Sequence, residues 1–214
     1  MDRLVAVSLI PMEWQVRRAR AADMSAVASI VSEHIETGVA HFGDRAQPAS
    51  QWIADLQAHE QRYPWLVAER DGLIAGLAYA KPFNTRAAYD WTAEVSIYLR
   101  DTLRGQGIGS MLYRRLIALL DAQGYRCLVA GITTPNDGSV ALHESLGFEH
   151  LGTLERVGYK YGAWRNVGSW QRLVGPFDDS QPAPVRSVSE VYAPVSEVYA
   201  PDSEVSAPGA EATE

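Results

Sequence analysis

A chain of 214 residues that is 47% hydrophobic and 21% charged carries enough apolar material for one full core. Its formal net charge of −7 offers none of the concentrated basic surface that nucleic-acid binding requires, and no apolar run approaches the roughly 20 residues of a membrane span. From Gly175 onward eight acidic residues stand against a single basic one, Arg186, so the excess charge belongs to the C-terminal part and the remainder is formally neutral.

Taken in chain order, residues 1–10 include a short apolar run, but Pro11-Met12-Glu13-Trp14 supplies no small-residue cleavage site. Residues 1–13 therefore read as an N-terminal extension of a cytoplasmic protein, with Met12 as an alternative start. A strand is expected over 14–18. Asp23 then stands as the cap of a helix whose apolar positions Met24, Val27, Ile30, Val31 and Ile35 recur at helical spacing. A second helix is expected from Ser50, with Trp52, Ile53 and Leu56 inward. Two apolar runs, 65–68 and 73–79, flank Asp71-Gly72, a dipeptide that supplies the positive φ angles of a tight hairpin. A strand over 91–99, a helix over 108–123 stopped by Gly124, and a strand over 127–132 form a β-loop-α-β unit. A further helix from Asn136 or Asp137 to Leu146 ends at Gly147, followed by extended segments over 148–161 and 164–173. The expected class is α/β, a mixed central β-sheet flanked by helices over residues 14–174. Cys127, the only cysteine, reads as a buried core residue in a reducing compartment.

Beyond that domain Ser189-Glu190-Val191-Tyr192-Ala193-Pro194 recurs as Ser196 to Pro201 and, with changes, as Ser203 to Pro208, a period of seven. Seven suggests a coiled coil, but a proline in each unit forbids it. The low apolar content predicts that residues 175–214 form a disordered acidic tail.

The most informative stretch is Arg104-Gly105-Gln106-Gly107-Ile108-Gly109, between the 91–99 strand and the long helix. Glycines let the backbone turn N–H groups toward a ligand, and the positive end of a helix favours a phosphate or pyrophosphate. The alternating glycines do not fit the dinucleotide spacing, and no lysine lies between Lys81 and Lys160 to complete a Walker loop. In the preceding strand Val95, Ile97 and Leu99 share one face while Glu94, Ser96 and Tyr98 share the other. A carboxylate there is either salt-bridged for structure or open to a cleft where it accepts a proton. His143, on the helix after Asn136, is a packed residue or a second proton-transfer group.

The pattern Arg104-x-x-Gly107-x-Gly109 resembles the acetyl-CoA loop of the GNAT superfamily. The resemblance extends through Tyr89-Asp90-Trp91-Thr92-Ala93-Glu94, Pro135-Asn136-Asp137, Leu142-His143-Glu144, Leu146-Gly147-Phe148, Gly158-Tyr159-Lys160 and Val167-Gly168 with Trp170-Gln171. In order and nearly without gaps from about Val16 to Gln171, these are similar to the phosphinothricin N-acetyltransferase family. The resemblance implies the GNAT acyl-CoA N-acyltransferase fold and transfer of acetyl from acetyl-CoA to a small amino-acid-like amine in a ternary complex, without a metal. It implies Glu94 as general base, His143 near the acetyl group, and cofactor contacts from Ile97, Tyr98, Leu99, from Arg104, Gly105, Gln106, Gly107, Ile108, Gly109 and Ser110, and from Asn136. Phe42, Arg86, Tyr89 and Ser96 match acceptor-pocket positions, and a homodimer is implied. Asn84 stands where phosphinothricin-selective members carry a lysine, which brings methionine sulfone and methionine sulfoximine forward as acceptors.

Overall fold

The computed structural model describes residues 13–178 and 180–192. Seven strands form one mixed sheet: β1 (Gln15–Arg18), β2 (Trp65–Arg70), β3 (Leu73–Pro82), β4 (Thr92–Leu99), β5 (Cys127–Thr134), β6 (Glu149–Lys160) and β7 (Ala163–Leu173). Their order across the sheet is β1-β2-β3-β4-β5-β7-β6. Every neighbouring pair is antiparallel except β4 and β5. Asp71 and Gly72 have φ of 53° and 77°, so the β2–β3 hairpin takes the tight turn that these residues favour.

Helices cover both faces. On one side α1 (Met24–Thr37) and α2 (Ala49–His59) bury Met24, Val27, Ile30, Val31, Trp52 and Leu56 against Trp65, Val67, Leu77 and Tyr79 of the sheet. On the other, α3 (Ile108–Gln123) and α4 (Asp137–Ser145) cover Leu66, Ala78, Val95, Leu128 and Ile132. The α3 stripe of Leu112, Tyr113, Leu116, Leu119 and Leu120 is buried because its apolar positions recur three and four residues apart, and Gly124, at φ 100°, stops the helix.

Three local expectations are corrected. Asp23 makes no side-chain cap on α1: its carboxylate accepts from the two terminal guanidinium nitrogens of Arg17, at 2.7 and 2.8 Å, and from the Arg20 N–H at 2.7 Å, so the nearby cation wins over the helix amides. Cys127 is half-buried, with Gln171 Nε2 at 3.0 Å from its sulfur, because it opens β5 at the sheet end. In place of a structureless tail, residues 180–192 follow a defined path. There α5 (Val188–Val191) packs on the core beside Val185 and Tyr192, with Pro182 and Pro184 before the turn of helix rather than within it. The second and third repeat units lie outside the described residues, as do residues 1–12.

Candidate active site

The parallel pair β4–β5 is in register only at Thr92↔Cys127, Ala93↔Leu128 and Glu94↔Val129. Past Glu94 the strands part, β4 continuing along β3 to Leu99 and β5 along β7 to Thr134. Backbone groups on the open side of β4 there have no strand partner, which leaves them available to a ligand that carries amides. A cavity of about 550 Å³ fills the gap. That size suits a small-molecule or cofactor site.

The mouth of this cavity is the glycine loop. Gly105 and Gly107 sit at φ 74° and 76°, and Gly107 is the cap residue of α3. The first intrahelical bond is Met111 N–H to Gly107 C=O at 3.0 Å, so the amides of residues 108 to 110 head the helix without helical acceptors. Those N–H groups and the positive helix end fit a diphosphate. Arg104 adds a cation held at the rim: its Nη2 lies 2.6 Å from Asp101 Oδ1 and 3.3 Å from His34 Nδ1. His34 in turn donates Nε2–H to the Leu99 carbonyl at 2.8 Å, leaving Nδ1 free to accept from Arg104. His34 thereby ties the last residue of β4 to the loop.

His34 is a residue that sequence reasoning missed. It is buried on the apolar stripe of α1, beside Ile30, Val31 and Ile35. A polar side chain in that stripe was the available signal.

Of the anticipated cofactor residues, Ile97, Tyr98, Leu99, Arg104, Gly105, Gly107, Gly109, Ser110 and Asn136 line this one cavity. Gln106 is exposed outside it, and the Ile108 side chain is buried in the core, so Ile108 can offer only its backbone. Asn136 caps α4, its Oδ1 accepting the Ser139 N–H at 3.3 Å, and also faces the cavity; both roles coexist.

Glu94 and His143 belong to opposite faces of the sheet. Glu94 is one-third exposed and paired with Lys81 Nζ at 2.9 Å, its direct cross-strand partner in the β3–β4 register. Burial pulls the Lys81 ammonium down, but the hydrogen bond and charge of Glu94 outweigh it and leave its pKa raised. Of the two sequence alternatives for Glu94 the structure shows the salt bridge; the carboxylate keeps some exposure at the point where the strands part but is not itself part of the cavity lining.

His143 lines the cavity from α4 but is almost fully buried. It donates Nδ1–H to the Ser139 carbonyl at 2.7 Å, and its Nε2 lies 3.0 Å from the Tyr113 hydroxyl, which donates to it. Burial pushes its pKa below the ordinary 6.5, against the opposing Ser139 bond, so the ring is neutral at pH 7. Burial also raises the Tyr113 hydroxyl well above 10, so this residue too stays neutral.

The anticipated acceptor residues divide. Ser96 lines the cavity, whereas Phe42, Arg86 and Tyr89 do not. Phe42 lies on the loop after α1, packed so closely on Gly158 that a Cβ there would come within 2.2 Å of its ring. That loop is tied down by Lys160 Nζ, which donates to the Ile35 and His41 carbonyls at 2.8 and 2.7 Å, and by the Tyr161 hydroxyl on Ile35 at 2.6 Å. Arg86 and Tyr89 bracket an exposed helical turn before β4, with Arg86 N–H on Asn84 Oδ1 at 3.0 Å. Asn84 thus shapes the turn that carries Arg86. Among the described residues, no group of three or more His, Cys, Asp or Glu is placed to hold a metal, and no helix is long and apolar enough to cross a membrane.

A splayed parallel pair with a glycine loop at the following helix defines the class, and comparison with known proteins agrees. The model of the acetyltransferase (GNAT) domain matches residues 16–166. A phosphinothricin N-acetyltransferase from Streptomyces viridochromogenes is 48% identical over 177 residues, covering 83% of this chain and 94% of that enzyme. A methionine sulfoximine and methionine sulfone acetyltransferase from Salmonella typhimurium is 32% identical over 71% of this chain and 90% of its own. The crystal structure of a phosphinothricin acetyltransferase from Sinorhizobium meliloti in complex with acetyl-CoA superposes with a TM-score of 0.76 at 33% identity, covering 80% of this chain and 94% of that one. The chain belongs to the GNAT acetyltransferases. Within them it is a member of the phosphinothricin N-acetyltransferase family, and it is an N-acetyltransferase.

Proposed function

We propose that this cytoplasmic enzyme transfers acetyl from acetyl-CoA to the α-amine of a small amino acid or amino-acid analogue of the phosphinothricin, methionine sulfone or methionine sulfoximine type. The observation that carries this reading is the parting of β4 and β5 after Glu94, beyond which a cavity lined by Ser96, Ile97, Tyr98 and Leu99 opens toward the glycine loop at the head of α3. Acetyl-CoA-bound relatives support the donor, and relatives acting on phosphinothricin and methionine sulfoximine support the acceptor class.

In this reading the residues from Arg104 to Ser110 hold the coenzyme's diphosphate, with Arg104 as the counter-cation. The open edge at Ile97, Tyr98 and Leu99 pairs with the amide-bearing arm, and Asn136 contacts it from the far side. Arg86 pairs with the acceptor's carboxylate, while Phe42, Tyr89 and Ser96 shape its pocket. Glu94 takes a proton from the ammonium, directly or through one water, and the neutral nitrogen attacks the thioester carbonyl carbon. The tetrahedral adduct then collapses: the carbon–sulfur bond breaks, the proton carried by the newly acylated nitrogen passes to the departing thiolate, and the neutral N-acetyl product and the free thiol leave. Both nitrogens of His143 are occupied by Ser139 and Tyr113, so His143 serves here as a neutral wall that fixes Tyr113 beside the acetyl group.

A homodimer completes the reading. Leu151, Leu154, Val157, Tyr159 and Trp164 are at least half exposed along the edge strand β6 and its hairpin partner, an apolar row long enough to invite a second copy. Light scattering should give the mass of two chains; a single-chain mass at assay concentration removes this part.

A thiol-release assay with acetyl-CoA and separate phosphinothricin, methionine sulfone, methionine sulfoximine and polyamine acceptors tests the function. Turnover on one or more of the three amino-acid analogues, and none on polyamines, is expected. Tight coenzyme binding with no turnover on any of them would replace the enzyme reading with that of an acyl-CoA sensor of the same fold.

A further inference from the structure

The segment from Arg186 to Tyr192 is seated on the body of the protein by contacts that read the repeat. Val188 is fully buried, and its N–H donates to the Gln61 carbonyl at 2.8 Å. The Arg186 backbone is held by Gln123 at both ends: its N–H donates to the Gln123 carbonyl at 2.8 Å, and its carbonyl accepts from the Gln123 side-chain Nε2 at 2.7 Å. The Tyr192 hydroxyl accepts the Arg18 N–H at 3.3 Å, and its ring lies against the guanidinium groups of Arg18 and Arg115 at 5.7 and 5.6 Å. Ser187 and Glu190 close a capping box on α5, with Ser187 N–H 2.7 Å from Glu190 Oε2.

Residues 188–193 read Val-Ser-Glu-Val-Tyr-Ala, and residues 195–200 repeat all six. We infer that the surface between α3, β1 and the segment before β2 is a groove for this hexapeptide, and that residues 195–200 of the same chain are its alternate occupant, sliding in by seven residues when the first unit leaves.

The anchors of α5 and its backbone can be matched, although Tyr192 would take the place of Val185. The backbone bonds made at 186 and 188 need only an N–H and a carbonyl at 193 and an N–H at 195, which Ala193 and Val195 supply. Val195 and Tyr199 replace the buried valine and the ring between the arginines. Pro194 falls at the position of Ser187, whose φ of −67° and ψ of 157° are values proline adopts, so the chain can follow the same path. Proline has neither the N–H nor the hydroxyl to bond the following glutamate, so the cap is lost, as is the bond from the Arg186 guanidinium to the Ala122 carbonyl. The first unit is therefore the resident and the second the reserve. Lengthening the connecting loop by seven residues adds little closure penalty. The third unit disqualifies itself: Asp202 takes the place of the buried Val188 and Ser206 that of Tyr192.

Thermal unfolding of the full chain tests this without reference to activity. Val195→Asp should leave Tm unchanged. Val188→Asp should lower it by about 3 °C or more, and the double variant Val188→Asp/Val195→Asp should fall clearly further, because only then is the groove left without an occupant. If Val188→Asp does not fold, Tyr192→Ser against Tyr192→Ser/Tyr199→Ser gives the same comparison at a half-buried anchor. Equal Tm for single and double variants, or a drop from the second-unit change alone, overturns the proposal. A rescue in the single variant that vanishes on serial dilution would also overturn it, since another chain's tail would then be the occupant.

Discussion

Replacing Glu94 with glutamine should lower kcat by about 10²–10⁴-fold while leaving the affinity for acetyl-CoA nearly intact. Glutamine has the same shape, and its amide oxygen can still accept from Lys81, so the cross-strand contact at 2.9 Å survives the change. What it cannot do is take a proton from an ammonium. The glycine loop proposed to hold the coenzyme lies beyond the far end of β4, so KM for acetyl-CoA should not move. Steady-state kinetics with saturating acceptor separates the two parameters. An unaltered kcat would take Glu94 out of the base role and return His143 to consideration.

Gly107→Val should weaken acetyl-CoA binding by about tenfold or more, with kcat at saturation much less affected. Gly107 caps α3 at φ 76°, a conformation that costs a β-branched residue on the order of 1–3 kcal/mol. A Cβ built there meets nothing within 4 Å, so the effect comes from the backbone and not from crowding inside the protein. To escape the strain the turn must rotate, and the amides that head α3 rotate with it. Gly107→Ala, which lacks the second branch, should show the same effect more weakly. Equal KM values for wild type and Gly107→Val would mean that the loop does not hold the diphosphate.

Much of this arrangement was legible in the sequence because it rests on local rules. Alternation along residues 94–99 put Glu94 and Val95 on opposite faces, and the glycines at 107 and 124 marked both ends of α3. Asp71-Gly72 and Asn136 behaved as their side chains and backbone preferences require. The parts not legible depend on partners far apart in the chain. Asp23 looks like a cap until Arg17 is seen beside it, and Lys81 becomes the partner of Glu94 only through the β3–β4 register. His34 reaches the site because α1 lays it against Leu99 and Arg104, 65 and 70 residues away. Composition also misread residues 182–192: their few apolar side chains are too sparse to fold alone, yet Val188 and Tyr192 need only a preformed surface on α3.

The placement of the anticipated acceptor residues was not legible for a related reason. Phe42, Arg86 and Tyr89 lie on loops whose positions follow from contacts such as Lys160 to the end of α1, and no periodicity reports those.

Calorimetric titration of the full-length protein with acetyl-CoA tests the central claim most directly. Saturable binding at one coenzyme per chain, lost or strongly weakened in Gly107→Val, is the expected result. No heat with the wild-type protein, or the same affinity in both, would contradict the assignment of the turn before α3 as the seat of the coenzyme.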